Sequence, residues 1–470
     1  MNFTRDVVDA ADASRTALVA VGPGGGRREL AFGEVSDRAA RLAGTLVAEG
    51  VGKGDVVMTV IGNRPEWVLA LCACFRIGAV ALPCAEQLRA GDLRARMDAC
   101  EPALVLADAR NADAIRAAGF AGTLLEAPGE HLFASSPAPA TELAPEDPAL
   151  VVFTSGTSGA AKAIRHGQRY LAGQAVQAEH WLDARPGDLC WCTAASGWSK
   201  SARNVFVAPW LRGAAALIQD ARFDPAQRLD VIERERVTVL CMAPTEYRSI
   251  AKRTGLRALR DLRHAVAAGE PLGPEQVEAW REGVGVAVHD GYGQTETGAL
   301  TAMPLGQPVR PGSMGRALPG FALWVDDGEL CVDPATVPTF FIDGPPGAWR
   351  TGDRVREDAE GYLWFEGRTD DVIISAGYRI GPFEVESALA SHCSVAEAAA
   401  VAAPDGERGQ VVRAVVVLRA GYEASETLKR ELQDHVKEQT APYKYPRIVD
   451  FANELPKTAS GKIRRAELRG

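Results

Sequence analysis

The chain of 470 residues is longer than one hydrophobic core ordinarily supports, so at least two domains are expected. With 61 acidic and 52 basic side chains the formal net charge is -9, which argues against an extended nucleic-acid surface and leaves only a local basic groove open. A hydrophobic share of 47% with 24% charged residues excludes a disordered or fibrous chain and describes an ordinary globular one.

The N-terminal sequence MNFTRDVVDAAD carries acidic residues and no apolar h-region, so no signal peptide is expected and a cytoplasmic location follows. From about residue 30 to 345 helical-period segments alternate with short apolar runs, the pattern of parallel sheets covered by helices. Residues 38–49 read as an amphipathic helix and 55–61 as the strand after it. The longest apolar stretch, 67–84, is broken by Arg76 and ends near Pro83. It suits a buried helix over 67–78 and a strand over 79–82 better than a membrane span. A helix over 91–99 and a strand over 103–106 repeat the cycle. The segment 128–148, rich in Pro, Ala, Ser and Glu, reads as a loop, and the apolar run 149–153 as a buried strand. Later strands are expected at 214–218, 237–241, 264–267 and 286–289. Near 326–348 short strands with Pro and Gly turns replace the alternation. The last hundred residues read as a separate α+β unit, with helices over 383–391 and 425–440 and strands over 395–402 and 411–418.

Cysteine and histidine carry little chemistry in this pattern. Nine cysteines form no CxxC pair, and the CxC pairs Cys72/Cys74 and Cys190/Cys192 sit in apolar surroundings, so buried reduced thiols are expected. The seven histidines show no metal-binding spacing, and any metal should arrive with a nucleotide.

Five segments stand out. TSGTSGAAK places Thr154, Ser155, Gly156, Thr157, Ser158, Gly159 and Lys162 directly after the 149–153 strand. Small hydroxyl residues and glycines ending in a lysine suit a loop that grips a triphosphate, although a plain surface connection has the same composition. GxxxxGK[ST] cannot be laid over it, so it is not a Walker A loop. GYGQTET brings Gly291, Tyr292, Gly293, Gln294, Thr295 and Glu296 to a turn after a strand. An aromatic face there can stack a purine and a carboxylate can hold Mg²⁺, while a solvated surface carboxylate is the plainer alternative for Glu296. WRTGD ends at Asp353, a carboxylate able to hold ribose hydroxyls or simply to cap a turn. GRTDDVIISAGYRIGPFEVE runs from Gly367 to Glu386, and PKTASGKIRR places Lys462 in a glycine-containing loop.

In this order, across residues 2–469, these segments resemble the core motifs of the acyl-adenylate-forming enzymes. That superfamily, called ANL, includes acyl-CoA synthetases, peptide-synthetase adenylation domains and firefly-type luciferases. The chain is most similar to medium-chain acyl-CoA synthetases, through TSGTSG, SGWSKSARNVFVAPWLRGA, GYRIGPFEVESAL and TAPYKYPR. The resemblance implies an α/β fold: a large N-terminal domain, residues 1–369, of parallel-sheet layers with helices and a small β subdomain. A small mobile α+β C-terminal domain, residues 370–470, would follow, with its hinge at Asp370. It implies ATP, Mg²⁺ and coenzyme A as co-substrates of a carboxylic acid. The acid first becomes a mixed anhydride with AMP and is then attacked by a thiol. Bringing the acid's carboxylate to an anionic phosphate costs about 1 kcal/mol at 4 Å in water and about 4 at an effective dielectric of 20, so a cation is needed there.

By resemblance Lys462 supplies that cation, and Thr295 and Glu296 act with it. Thr154, Ser155, Gly156, Thr157, Ser158, Gly159 and Lys162 orient the phosphates, with Glu296 and Thr157 at Mg²⁺. Asp353 and Arg368 hold the ribose, and adenine lies between Gly269, Glu270 and Pro271 on one side and Asp290, Gly291 and Tyr292 on the other. Gln87, Ala376, Gly377, Tyr378, Arg379, Arg408, Lys437, Tyr445, Pro446 and Arg447 are implied near coenzyme A. Trp198 and Gly293 would border the acyl pocket, built from 196–207 and the strands leading to Gly269 and Gly293.

Departures from the family pattern are few. Ala160 and Ala161 stand where a residue and then proline are usual, which loosens the phosphate loop. The segment between Asp327 and Arg350 is short. SGWSKSARNVF contains no aspartate to pair an amino group, so a neutral-tailed acid is expected, aliphatic or aryl. Loading of an acyl carrier protein, or thioester formation from a supplied acyl-adenylate, remains as an alternative, and a homodimer stays open. No nucleic-acid partner and no membrane insertion are expected.

Overall fold

The computed structural model describes residues 1–155, 161–369, 371–375, 378–405, 408–457 and 463–469, with backbone alone at Ser155, Ala161 and Arg379. Its described residues form four sheets. Six strands run in the order Thr123–Ala127, Leu104–Asp108, Val56–Val60, Val80–Pro83, Pro148–Ser155 and Ala161–Gly167, all neighbours parallel except the last pair. Nine strands form a second sheet whose middle, from His264–Ala268 through Val239–Met242, Leu189–Cys192 and Ala215–Gln219 to Thr16–Val21, is parallel. Val288–Gln294 continues it in parallel, and antiparallel strands close both edges.

The helix Pro65–Ile77 shows why these two sheets join. Trp67, Val68, Leu69, Ala70, Leu71, Cys72, Ala73, Cys74 and Phe75 are all buried, so the helix is apolar on every face and needs cover all round. It sits with the helix Phe32–Ala48 in one core cluster that also takes residues from both sheets, Val57, Leu104 and Leu106 from one and Leu18, Ala216 and Ile218 from the other. Gly78 ends it in the left-handed conformation, φ +75°, which a glycine enters without strain. Among the described residues no helix is long and apolar enough to cross a membrane.

The expected strands and helices are found with ends shifted by a few residues. The first long helix begins at Phe32 rather than 38, because Gly33 in its first turn looks like a loop residue and packs tightly on Ala13. The expected parallel-sheet layers are found, and the first of them carries an antiparallel edge strand, Ala161–Gly167, that the pattern did not suggest. In that strand exposed Arg165 stands between fully buried Ile164 and His166, so a histidine occupies one of its inward positions and hides the period. Where the composition changes, an antiparallel four-stranded sheet forms from Leu323–Asp326, Glu329–Val332, Trp349–Glu357 and Leu363–Arg368. The fourth sheet, five strands between Ile373 and Phe451, carries the helices Pro382–Ser391 and Glu426–Gln439 on a core of its own.

Candidate active site

The C-terminal ends of two parallel strands define the site. Register pairs Ala267 with Asp290 and Ala268 with Gly291, so the residues that leave the first strand, Gly269, Glu270 and Pro271, lie beside the turn that leaves the second. Crevices outside the carboxyl ends of such strands are the usual ligand sites of open α/β sheets. Gly269 has φ +101°, and a side chain there would meet Lys200 Nζ at 3.1 Å, which itself donates to the Ala268 carbonyl at 2.8 Å. Glu270 accepts from the Thr245 hydroxyl at the start of the helix Pro244–Arg253. Asp290 is buried, which pushes its carboxyl well above the usual range, and it accepts from the Gly291 amide at 2.9 Å. Two glycines are demanded by packing. A Cβ on Gly291 would stand 2.6 Å from Trp181 Nε1, and one on Gly293 would stand 1.9 Å from the Gly298 carbonyl oxygen.

Asp353 organises the polar wall of this crevice. It is 5% exposed and is the cross-strand partner of Arg368, whose Nη1 donates to its Oδ1 at 3.1 Å. Its Oδ2 accepts from Gln294 Nε2 at 2.7 Å and from the Tyr292 hydroxyl. Burial, and then the charge of Asp353, push the Tyr292 phenol well above its ordinary value, so it stays a proton donor. Trp349, the first residue of WRTGD, donates from Nε1 to Gln294 Oε1 at 3.0 Å and so fixes which way that amide points. Trp349 and Thr351, whose carbonyl takes both Gln294 Nε2 and Arg368 Nη1, were absent from the expected site although they stand inside the motif.

The turn beyond Gln294 is held by Thr297, whose hydroxyl accepts from the Gln294 amide at 3.1 Å, and by Phe341, whose amide donates to the Glu296 carbonyl at 2.9 Å. Lys162 Nζ stands 6.0 Å from the centre of that same Phe341 ring, which brings the lysine of the first motif to the side of Glu296. Thr154 and Lys162 face each other across the hairpin whose tip carries the motif. The half-buried Glu296 side chain has no hydrogen bond or ion pair among the described residues. A single free carboxylate suits Mg²⁺ that arrives on phosphates, since that ion keeps several waters and needs no protein cage. No group of three or more potential metal ligands is found among the described residues. Gly156, Thr157, Ser158, Gly159, Asp370, Ala376, Gly377 and Lys462 lie outside the described residues, as do the side chains of Ser155 and Arg379.

The residues expected near coenzyme A fall into separate groups. Lys437 Nζ and the Arg447 guanidinium lie 4.4 Å and 5.0 Å from the Tyr445 ring centre, with the buried Pro446 between the last two in sequence. Lys437 also pairs with Asp434 at 2.7 Å. Exposed Tyr378 stacks on Tyr443, ring centres 4.3 Å apart and planes 19° off parallel. Pairing of Ser375 with Gly409 sets Arg408 beside the hairpin that carries Tyr378. Gln87 is exposed after the strand Val80–Pro83. The segment before Trp198 lies against the Cys84–Ala85 backbone so closely that a Cβ on Gly197 would be 1.9 Å from the Ala85 amide nitrogen. Trp198 itself is half-buried, and its carbonyl accepts from Ser201 Oγ at 2.6 Å.

A crevice at strand ends, opened by glycines and backed by a buried carboxylate with donors on three sides, is the architecture of a nucleotide-binding α/β protein. The sequence profile of the AMP-binding enzymes covers residues 6–344, and that of the AMP-binding enzyme C-terminal domain covers 384–462. The mitochondrial acyl-coenzyme A synthetase ACSM4 of Homo sapiens is 37% identical over all of this chain and 90% of its own length. The uncharacterized acyl--CoA ligase YtcI of Bacillus subtilis is 37% identical over 98% of this chain and 94% of its own. The crystal structure of the anthranilate CoA ligase AuaEII with anthranoyl-AMP superimposes with a TM-score of 0.89 at 27% identity, covering 98% of this chain and 96% of that one. The chain belongs to the AMP-binding enzyme family.

Proposed function

We propose that this protein is an AMP-forming acyl-CoA synthetase that joins a carboxylic acid to coenzyme A in a reaction driven by ATP. The observation that carries the reading is the convergence of Tyr292, Gln294 and Arg368 on buried Asp353, with Gln294 on the same turn as Glu296, whose side chain has no partner among the described residues. Full-length similarity to acyl-coenzyme A synthetases supports it.

In the first half-reaction an oxygen of the acid attacks the α-phosphorus of ATP, the bond to the β-phosphate oxygen breaks, and pyrophosphate leaves. Asp353 and Arg368 hold the ribose hydroxyls, and the glycine-opened slot beside Tyr292 takes the adenine. Lys162 and the loop before it hold the β- and γ-phosphates. Glu296 would hold Mg²⁺, whose chemistry is to neutralise phosphate charge as it builds up. Lys462 bridges the acid and the α-phosphate. In the second half-reaction the coenzyme A thiol, losing its proton, attacks the acyl carbon, and the bond to the phosphate oxygen breaks to release AMP. Residues 370–470 form a mobile unit that turns at Asp370, exchanging the Lys462 loop for the Gly377 loop at one site. Lys437 and Arg447 around Tyr445, with Arg408, suit the phosphates of free coenzyme A. That cluster favours coenzyme A over an acyl carrier protein, whose pantetheine lacks the adenosine phosphates. The cytoplasmic location belongs to this proposal as well.

Pyrophosphate release from ATP with aliphatic and aryl acids, with and without coenzyme A, and mass detection of the product tests the reading. Acid-dependent release with a matching coenzyme A thioester is expected. Release without a thioester would move the acceptor to a carrier protein, and a thioester formed only from supplied acyl-adenylate would remove the first half-reaction.

A further inference from the structure

Behind the Gln294–Thr297 turn lies a cluster of buried polar side chains that the nucleotide chemistry does not use. The helix Gln168–His180 and the π-helical turn Arg203–Val207 supply it, bound to each other by Gln177 Nε2 donating to Asn204 Oδ1 at 2.7 Å. Tyr170, Gln174, Gln177, Arg203 and Asn204 are all buried there. Much of their hydrogen-bonding capacity is unmet: among the described residues Arg203 Nε and Nη1, Gln174 Oε1 and Gln177 Oε1 have no partner. Arg203 is only 6% exposed, and among the described residues no carboxylate comes within 4.0 Å of its guanidinium nitrogens. The fully buried Tyr170 phenol beside it is a neutral group that burial pushes further up, against the pull of Arg203. A guanidinium cannot shed its charge, and buried charges in folded proteins are paired. An apolar acyl terminus would leave this one unpaired.

Arg203 lies close to the turn beside which the acid would be activated. A Cβ on Gly298 would come 3.5 Å from Arg203 Nη1, and Gly298 is the cross-strand partner of Gln294, on the turn that carries Thr295 and Glu296. Arg203 also belongs to SGWSKSARNVF, the stretch whose lack of aspartate gave the expectation of a neutral-tailed acid, and its burial argues instead for an anionic tail. We propose that Arg203 determines specificity by pairing with a second carboxylate at the far end of the acid, so that the substrate is a dicarboxylic acid activated at one end only. The proposal rests on the synthetase reading and names the acid that reading leaves open. A carboxylate oxygen can accept from Nη1, the nitrogen that faces Gly298, and the glutamine carbonyls can hold water at its flanks.

Length-matched pairs test it: glutarate against valerate, adipate against hexanoate and suberate against octanoate, each assayed for kcat/KM of pyrophosphate release with ATP and coenzyme A. Sites built to pair a buried polar group reject the analogue lacking its partner by on the order of 10⁴-fold. The dicarboxylate of at least one pair should therefore lead by on the order of 10³-fold or more. Arg203→Leu should invert that preference, losing the dicarboxylate and gaining the monocarboxylate, and Arg203→Lys should keep a reduced preference. Thermal stabilisation of the wild-type chain by the favoured dicarboxylate in the presence of AMP, absent in Arg203→Leu, gives a readout apart from turnover. Should Arg203→Leu fail to fold, a selective loss of the dicarboxylate in Arg203→Lys supports the pair, and equal loss of both acids opposes it. Monocarboxylates preferred by the wild-type protein would overturn the ion pair and leave the synthetase standing. Pyrophosphate release with no acid of either kind would overturn both.

Discussion

Asparagine in place of Asp353 keeps the shape of the side chain and removes its charge, which makes it a sharp test of the ribose assignment. A carboxylate has about four acceptor positions. Gln294, Tyr292 and Arg368 occupy three of them, so one remains for a ribose hydroxyl. A hydrogen bond to a charged group contributes about 1.5–3 kcal/mol and a neutral one about 1. Neutralising Asp353 therefore costs stability about 1 kcal/mol in each of the Tyr292 and Gln294 bonds. The Arg368 side chain is 35% exposed, so solvent screening holds its share below about 1 kcal/mol. The folded state should lose about 2–3 kcal/mol in urea unfolding. The fourth position should lose a further ~1 kcal/mol of nucleotide binding, a roughly fivefold weaker Kd for AMP by calorimetry. A double-mutant cycle with Tyr292→Phe should show coupling in stability, because the two side chains share a hydrogen bond. An unchanged Kd for AMP together with the full loss of stability would refute the ribose role and leave Asp353 as a strut between two strands.

Three further expectations follow, the first from the family resemblance and the other two from the geometry. Lys462→Ala should abolish acyl-adenylate formation and spare thioester formation from supplied acyl-adenylate; equal loss of both, measured separately, would mean that the lysine serves some other step. Tyr445→Ala, which removes the ring between Lys437 and Arg447, should raise KM for coenzyme A by about tenfold and leave acid-dependent pyrophosphate exchange unchanged, and an effect on exchange would place the cluster elsewhere. Burial, and then the Arg203 charge, push the pKa of fully buried His166 down to about 3, so below about pH 6.5 the unfolded chain binds a proton that the folded one refuses. Stability should fall by about 1.4 kcal/mol for each unit from about pH 6 to about pH 3, and His166→Gln should flatten that slope in urea unfolding; an unaltered slope would assign the acid lability to other groups.

Much of the fold was legible because its signals are local. The apolar run from Trp67 onward had one reading as a buried helix and strand, and Gly78 marks the end of the helix in both sequence and structure. What escaped were elements whose inward side chains are polar or whose neighbours lie far along the chain. The strand Ala161–Gly167 buries His166 where an aliphatic residue is expected, and Arg27–Ala31 is an edge strand with three exposed charged residues. Antiparallel edges leave no mark in a hydrophobic pattern, since strand direction is settled by what pairs across a sheet.

The same distinction divides the site. Nucleotide contacts are built from short stretches, and one such stretch, WRTGD, carries both Asp353 and the Trp349 that orients its neighbour Gln294. The acid end is assembled from residues scattered between 166 and 339, and the motif stretch that holds Arg203 does not reveal what lies around it. His166 lies with its ring 4.0 Å from that of Tyr170, and its nitrogens approach the carbonyls of Thr295 and Thr339 without reaching hydrogen-bond geometry. Thr339 in turn bonds the Thr297 carbonyl. A histidine kept neutral by burial adds no cation beside Arg203, where a further positive charge would compete for the same anion. On the proposal above, specificity for the acid is set by a buried charge with no carboxylate partner among the described residues, a property of the packed structure that no spacing along the chain records.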